Sequence, residues 1–313
     1  MLMTAIDPLF ALAFFVLGLN FGSFLNVCIH RLPRRLSVVQ PRSACPACST
    51  PIRAYDNIPV VSWLLLRGRC RHCKSPISPR YMAVELLTAL LFLGCYARFG
   101  LTLMTLKFSV FGFLILGLIF MDAEWRLLPD AFTLPGVLLG LLFSIFVPVN
   151  DFAARLLAGM IASPGSWALS WQTLSLADAL LGAALGASFI YGAGMIYFRA
   201  RGIYGMGFGD VKLMAMVGAF LGVKLTILTL FAASLLGSVA GLGTIFLVWW
   251  KRMQRRVTRN HEPGAIARRR AWKSAKTVYR YYEMPFGVFL GSVALLAVFF
   301  GNLFLGWYWG IYL

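Results

Sequence analysis

The chain has few acidic residues and very few histidines. Eleven Asp and Glu stand against 29 Lys and Arg, and the three histidines are His30, His72 and His261. No His-Glu-x-x-His segment occurs, which excludes the zinc-protease motif that depends on it. No pairing of serine with histidine is evident that would indicate a serine nucleophile. For a hydrolase, the chemistry that remains is that of carboxylates.

Extended polar sequence is also scarce, because 60% of the residues are hydrophobic. A soluble domain of this length does not have such a composition. The chain carries a formal charge of +18, and its basic residues flank apolar runs. Membrane orientation and lipid headgroups explain this placement better than nucleic acid, which we do not expect as a partner. We therefore predict an all-α polytopic membrane protein.

About eight apolar segments are candidates for crossing a bilayer, which takes about 20 residues of helix. They cover 8–29, 81–98, 102–121, 131–149, 176–198, 211–222, 224–250 and 285–305. The sixth is short, and we expect it to be half-buried in protein. A polar loop, 150–174, separates the fourth segment from the fifth. The first segment lacks the basic flank of a cleavable signal peptide and is predicted to remain as a span.

Basic residues are distributed unevenly enough to predict the orientation of the spans. If the first span runs from outside to inside, 25 of the 29 Lys and Arg fall on the inner side and four on the outer side. The inner segments are 30–80, 122–130, 199–212 and 251–284. Cytoplasmic loops carry such an excess, so we expect the N-terminus outside and these four segments in the cytoplasm.

Four of the six cysteines form two closely spaced pairs in the polar segment after the first span. The pairs are Cys45-Pro-Ala-Cys48 and Cys70-Arg-His-Cys73, with 21 residues between them. Two such pairs supply the four thiolates of a tetrahedral zinc site, so we predict a structural zinc ion with no position open for substrate. Two disulfides or free thiols are the alternatives, and a cytoplasmic location disfavours disulfides.

The remaining cysteines, Cys28 and Cys95, lie in or beside apolar segments and are expected to be buried hydrophobic residues. The domain organisation that follows is a first transmembrane helix over 1–30, a small zinc-binding cytoplasmic loop over 31–80, and a second membrane domain over 81–313. We expect no internal repeat.

Two carboxylates stand at the edges of apolar segments. Asp122 directly follows Leu118-Ile-Phe-Met121, and Asp210 ends Gly207-Phe-Gly-Asp210. An acid at the edge of hydrocarbon is costly and indicates function, and the predicted orientation puts both acids on the cytoplasmic side. If they meet, they share one proton, so that one activates water and the other donates to a scissile carbonyl. A helix cap is the alternative explanation for each.

Three further acids have simpler explanations. Asp130 is expected to cap the fourth helix, and Glu124 to pair with Arg126 or to stay solvated. Glu85 lies inside the second span, where an unpaired acid is rare. A salt bridge with Arg80, or with an arginine of the zinc-binding loop, is the first explanation for Glu85.

In their order along the chain, these motifs resemble the bacterial prepilin peptidases, the type IV leader peptidases of pilus and type II secretion systems. The resemblance covers nearly the whole chain. The matching segments are Gly22-Ser-Phe-Leu-Asn26, Arg31-Leu-Pro, the two Cys pairs, Asp56-Asn-Ile-Pro59, Ser62, Leu66-Arg-Gly68, Ser78-Pro-Arg80, Glu85, Asp122, Leu128-Pro-Asp130, Thr133-Leu-Pro135, Gly207-Phe-Gly-Asp210 and Pro285-Phe-Gly287.

The resemblance implies an inner-membrane aspartic endopeptidase whose N-terminus is periplasmic. Carried over by position, its catalytic residues are Asp122 and Asp210. Family members cut prepilins and pseudopilins after a Gly that ends a short basic leader, at the cytoplasmic face. Many then methylate the new N-terminus with S-adenosylmethionine. Methylation is associated with the Cys-bearing segment, 31–80, and peptidase activity would belong to 81–313.

The resemblance adds a hypothesis for Glu85, which would help to bind the α-amino group that is methylated. It also marks a departure, since 251–284 is longer than the link that relatives usually have. This basic segment is expected to contact anionic membrane lipid. A regulatory or partner-binding role is the alternative.

Four functions compete at this point. The first is an enzyme that both cleaves and methylates, and the second is a peptidase alone. The third is a proton-coupled transporter, against which the placement of both acids on one membrane face counts. The fourth is a non-catalytic platform for pilus assembly.

Overall fold

The structure, a computed structural model, describes residues 7–149, 170–202, 207–260, 263–280 and 284–310. Over these residues it is built from helices, and backbone pairing of strand type is limited to two isolated bridges, Ala44 with Pro51 and Arg69 with Pro76. The α-helices are α1 Pro8–Arg31, α2 Val61–Leu65, α3 Arg80–Phe99, α4 Leu103–Trp125, α5 Asp130–Phe146, α6 Trp171–Arg201, α7 Phe208–Asn260, α8 Gly264–Arg280 and α9 Phe286–Trp309. Short 3-10 helices cover Leu32–Arg34 and Ala54–Asp56.

Six of these helices, α1, α3, α4, α6, α7 and α9, are long and apolar enough to cross a membrane, and α5 is a shorter apolar helix. The all-α polytopic membrane fold is therefore confirmed. The count of eight spans stays a prediction. Most of the predicted polar loop 150–174 falls outside the described residues.

Helix α7 is broken at Gly222, whose φ of 75° and ψ of −178° are not helical. We call residues 208–221 α7a and residues 223–260 α7b. Gly186 of α6 lies close to both halves. A β-carbon at this position would be 2.5 Å from Met214 O in α7a and 3.2 Å from Thr226 Cγ2 in α7b. Twelve residues of straight helix would separate those two contacts by about 18 Å. The two halves therefore fold back on each other beside α6, as the predicted sixth and seventh segments require.

Asp178 of α6 stabilises this reversal. Its carboxylate accepts a hydrogen bond of 3.1 Å from the backbone N–H of Val223, the first residue of α7b. A carboxylate at a helix N-terminus satisfies a donor that has no partner within the helix. The start of α7b is thereby fixed at the end of the bundle opposite Asp210.

Helix α4 lies at the centre of the bundle and packs against α1, α3, α5 and α9. Its side chains Phe111, Ile115 and Leu118 are fully or almost fully buried. The short α7a is buried to a similar degree, including Leu213, which agrees with a segment enclosed by protein. Helix α4 ends and α7a begins on the same side of this core. The last turn of α4 and the first turn of α7a therefore come together.

The basic segment 251–284, predicted as a loop, is largely helical. Helix α7b continues to Asn260, and α8 packs back against it. Three alanines on one side of α8, Ala267, Ala271 and Ala275, are buried. Their four-residue spacing gives α8 a small-residue stripe that allows close packing. We refer to residues 246–280 of α7b and α8 as the basic hairpin.

Candidate active site and metal centre

Asp122 lies in the last turn of α4, and its side chain is 6% exposed. Its Oδ2 accepts a hydrogen bond of 3.0 Å from the backbone N–H of Val288, in the first turn of α9. The N-terminus of one helix thus stabilises a carboxylate that the C-terminus of its own helix repels. Asp122 thus joins two helices, whereas the helix cap given as the alternative explanation would act on α4 alone.

Asp210 lies in the first turn of α7a and is 8% exposed. Its backbone N–H donates to Gly207 O at 3.1 Å, which closes the turn that starts this helix. The Asp122 and Asp210 carboxylates are close enough for their charges to interact. The structure therefore brings the two predicted acids together in one buried place, from helices that begin and end far apart in the chain.

Leu128 packs between the elements that carry the two acids. A β-carbon at Gly209, next to Asp210, would lie 2.9 Å from Leu128 Cβ. One at Gly287 would lie 3.3 Å from Leu128 Cδ1 and 2.9 Å from Asp122 Oδ2. Glycine at both positions lets the starts of α7a and α9 approach the turn after α4. This close approach supplies a physical reason for the two glycines beside the acids.

The other acids of this region form ion pairs on its edge. Asp130 is the first residue of α5 and pairs with Lys212 Nζ at 2.6 Å, so the expectation that it caps the helix is wrong, because Pro129 holds the cap position. Glu124 pairs with Arg80, at the start of α3, rather than with Arg126. Long side chains from neighbouring helices reach these acids more readily than local partners do.

The four cysteines Cys45, Cys48, Cys70 and Cys73 form one cluster, and their Sγ atoms all lie within 4.8 Å of one another. The Sγ atoms of Cys45 and Cys73 are 3.8 Å apart. A tetrahedron with Zn–S bonds of about 2.3 Å has edges of about 3.8 Å, so the donor set fits zinc. The prediction that the four thiols come together is confirmed, and they could hold a zinc ion.

The two cysteine pairs adopt the same local structure. In the first, the backbone N–H of Cys45 donates to Thr50 O at 3.0 Å. In the second, Cys70 donates to Ser75 O at 2.9 Å. Each turn is closed by one isolated bridge to a proline, Pro51 or Pro76. The repeated Cys-x-x-Cys-x-x-Pro pattern carried this signal, and the sequence analysis missed it.

At two of the four cysteines, hydrogen bonds within the turns favour the thiolate form that binds metal. Bonds from the Thr50 side chain and backbone lower the pKa of the Cys48 thiol to about 6. Backbone hydrogen bonds from Cys73 and His72 lower the pKa of the Cys70 thiol. Thiolates are the ligating species, so these two residues are prepared to bind a cation. The other two cysteines, Cys28 and Cys95, are buried in the membrane helices, as expected.

The rest of the zinc-binding loop is tied together by polar contacts. Arg71, inside the second turn, donates to both oxygens of Asp56 at 2.9 Å through Nε. Hydrogen bonding to this guanidinium holds the pKa of Asp56 below its usual range. The Ser62 hydroxyl donates to Tyr55 O and accepts from the Ile58 N–H. A loop with little apolar content thus has a defined shape between its cysteine pairs.

Glu85 joins this loop to the membrane helices. It is 9% exposed in α3, and its Oε2 accepts a hydrogen bond of 2.7 Å from the backbone N–H of Val60. Val60 has a φ of 61°, which is rare for a β-branched residue and costs free energy. Among the described residues, Glu85 forms neither the expected salt bridge with Arg80, which pairs with Glu124, nor one with an arginine of the zinc-binding loop.

A pocket of about 430 Å³ lies between the end of α1 and this loop. Its lining combines apolar side chains with polar and basic ones, among them Val27, Arg31, Arg42, Ser43 and Asn57. Its volume lies within the range of small-molecule sites. Asn57 stands three residues before Val60, so the pocket and the Glu85 contact belong to the same part of the loop.

Comparison with known proteins agrees with this arrangement. Residues 16–99 match the family model described as Bacterial Peptidase A24 N-terminal domain. Residues 110–242 match the one described as Type IV leader peptidase family. The first contains the four cysteines and Glu85, and the second contains Asp122 and Asp210. No solved structure matches the chain.

Several curated relatives carry the name prepilin leader peptidase/N-methyltransferase. One from Myxococcus xanthus is 40% identical over 75% of this chain and 63% of its own length. Those from Aeromonas hydrophila and Neisseria gonorrhoeae are 34% and 36% identical, over 94% and 72% of this chain and 92% and 79% of theirs. With its paired acids, its cysteine cluster and this similarity over most of its length, the chain belongs to the type IV leader peptidase family.

Proposed function

We propose that the chain is a membrane aspartic endopeptidase that removes the leader of prepilin-like substrates and then methylates the new N-terminus. The observation that carries the proposal is the closeness of Asp122 and Asp210, two buried acids whose helix ends both approach Leu128 at one end of the bundle. The names of relatives that align over most of the chain supply the substrate class.

Asp122 and Asp210 act as the catalytic residues in this proposal. Two carboxylates in one buried site hold a single proton between them. The ionised one takes a proton from water, whose oxygen attacks the scissile carbonyl carbon, while the protonated one donates its proton to the carbonyl oxygen. The tetrahedral intermediate collapses when the amide nitrogen is protonated and the C–N bond breaks. The Val288 N–H bond to Asp122 would keep that carboxylate oriented throughout.

The narrow surroundings of the acids support cleavage after a small residue. Gly209, Gly287 and Leu128 meet where the starts of α7a and α9 approach the end of α4. An extended backbone can enter between such helix ends most easily where it carries no side chain. This favours a Gly at the cleavage position. The relatives' names indicate an inner-membrane protein, and the distribution of Lys and Arg favours an orientation with these helix ends at the cytoplasmic face and the N-terminus in the periplasm.

The methyl-transfer step is assigned to the cytoplasmic zinc-binding loop, 31–80. Zinc on the four cysteines would be structural, because four protein ligands leave no position for substrate. S-adenosylmethionine, when bound, supplies the methyl group, and the pocket lined by Ser43 and Asn57 has the volume and polar groups to hold it. Glu85 would attract the α-amino group of the cleaved substrate. Its contact with the strained Val60 places this acid directly beneath the loop.

Two alternatives remain to be compared with this proposal. A peptidase without methylation would use the same two acids and leave the loop with a purely structural role. A proton-coupled transporter is not favoured, because the paired acids lie at helix ends rather than midway along the bundle and the relatives are named as peptidases.

Mass spectrometry of a co-expressed prepilin tests the proposal. The expected product lacks its leader and carries one additional methyl group on its first residue. A product that is cleaved without the methyl group supports the peptidase alone. If both proteins are expressed and the prepilin keeps its full length, the proposal is contradicted.

A further inference from the structure

The basic hairpin forms an open pocket of about 580 Å³ that the proposed reaction does not use. Phe246 and Trp249 of α7b line one side, and Ala265, Arg268, Arg269 and Trp272 of α8 line the other. The indole N–H of Trp249 donates to Arg268 O at 3.3 Å, and the rings of Trp249 and Trp272 meet edge to face at 6.5 Å. These contacts hold the two walls at a fixed separation.

The pocket lies at the cytoplasmic end of the apolar part of α7b. Three aromatic residues, Phe246, Trp249 and Trp250, end this apolar run, and the basic residues of the hairpin follow. Tryptophan is enriched at membrane interfaces because its ring is apolar while its N–H is polar. The composition of this segment is therefore typical of one that contacts lipid headgroups.

The charge of the pocket favours an anionic occupant. The side chains of Arg268 and Arg269 are exposed, and no acid lines the pocket. Further basic residues, including Lys273 and Lys276, lie along the same helix. Aromatic rings on one side and guanidinium groups on the other suit a molecule with an apolar chain and a negatively charged head.

We propose that this pocket binds one anionic phospholipid of the surrounding bilayer. Its phosphate pairs with Arg268 and Arg269, and the upper part of an acyl chain packs against Phe246 and Trp272. Guanidinium groups match phosphate in geometry and hydrogen bonding, which a general basic surface does not require. This site is independent of peptidase and methyltransferase activity, and it gives the long basic segment a specific lipid contact.

Native mass spectrometry of the full chain, taken from bilayers with equal amounts of phosphatidylglycerol and phosphatidylcholine, tests the site. The expected result is one phosphatidylglycerol retained in preference to phosphatidylcholine. The double variant R268Q/R269Q should lower this preference by roughly tenfold or more, because it removes both guanidinium groups that donate charge-assisted hydrogen bonds to the phosphate. W272A should weaken retention of the lipid while leaving its charge preference.

A matched control separates the pocket from general attraction to a basic surface. The double variant K273Q/K276Q removes the same charge from the same helix, and its two lysines do not line the pocket. It should retain the preference within about twofold of the wild type. An equal loss in both double variants, or no preference in the wild type, overturns the proposal. Displacement of the lipid by excess inorganic phosphate shows that the site selects the phosphate group alone, and also overturns it.

Discussion

The carboxylate of Asp122 accepts a hydrogen bond of 3.0 Å from the backbone N–H of Val288, 166 residues later in the chain. The end of α4 and the start of α9 meet at this contact. The first turn of α9 therefore fixes the orientation of the Asp122 carboxylate. A change that displaces this turn should impair cleavage without removing either acid.

Replacing Gly287 with Ala is the smallest such change. The new β-carbon would lie 2.9 Å from Asp122 Oδ2 and 3.1 Å from its Cγ, so the carboxylate or the start of α9 must move. A misplacement of about 1 Å near reacting groups lowers rates on the order of 100-fold. We expect a loss of cleavage rate of this size, measured with purified G287A and a synthetic prepilin in detergent.

Gly237→Ala serves as the control for this prediction. Its β-carbon would lie 3.5 Å from the Phe286 ring, which is an ordinary contact next to the same helix start. G237A should cleave at nearly the wild-type rate. If G287A cleaves as fast as G237A, the contact between Asp122 and the start of α9 does not matter for catalysis.

Metal analysis addresses the cysteine cluster. We expect one zinc ion per purified chain, and its loss in C45S, because three thiols no longer complete a tetrahedron. Removal of the metal should expose residues 31–80 to proteolysis, since this loop contains little apolar packing of its own. The measurement combines elemental analysis with limited digestion of the protein in nanodiscs.

Cys95→Ser is the matched control, because Cys95 is buried in α3, away from the cluster. It should keep its zinc and its resistance to digestion. A chain that holds no zinc in either wild type or C95S, yet resists digestion in the same way, contradicts a metal-clamped loop.

Replacing Glu85 with Gln tests the proposed methyl-transfer residue. The Gln side-chain oxygen can still accept the hydrogen bond from Val60, so the loop should remain attached to α3. The negative charge that would attract an α-amino group is lost. We expect methylation to fall at least about tenfold while cleavage continues, since one charge-assisted hydrogen bond contributes roughly 1.5–3 kcal/mol. Methylation at the wild-type level would exclude Glu85 from this role.

The ion pair between Arg80 and Glu124 connects the start of α3 to the end of α4, two residues beyond Asp122. Its side chains are 18% and 33% exposed, so solvent screens it only in part. We expect R80Q and E124Q each to lower the free energy of unfolding by about 1 kcal/mol, and the double variant to lose less than the sum of the two. Strict additivity in a denaturant series would show that the pair is not coupled.

Local patterns were sufficient to predict several parts of the molecule. The spacing of Cys45, Cys48, Cys70 and Cys73 predicts their cluster, because each close pair forms a turn by itself. The apolar segments that meet at Gly222 predict the reversal of α7. The positions of Asp122 and Asp210 at the edges of apolar runs predict that both acids lie at helix ends. In each case the signal lies within a few residues of the feature.

The partners of side chains could not be predicted in this way. Glu85 was expected to pair with Arg80, yet it binds the Val60 N–H, and Arg80 pairs with Glu124. Asp130 was expected to cap its own helix and instead pairs with Lys212, 82 residues away. Such contacts depend on which helices become neighbours in the bundle, and hydrophobic periodicity does not specify this. The helical structure of the basic hairpin was not predicted for another reason. Its many basic residues were taken to indicate a loop, and the helical spacing of its alanines was overlooked.

Cleavage by single and double Asp variants tests the central claim most directly. D122N and D210N should each slow cleavage of a prepilin by at least about 1,000-fold, and D122N/D210N should be no slower than the slower single variant, because residues that act as a unit are not additive. D130N, which removes an acid from the same end of the bundle, should stay within a few-fold of the wild type. Substantial cleavage by D122N or D210N, or losses that multiply in the double variant, would show that the two acids do not form one catalytic site.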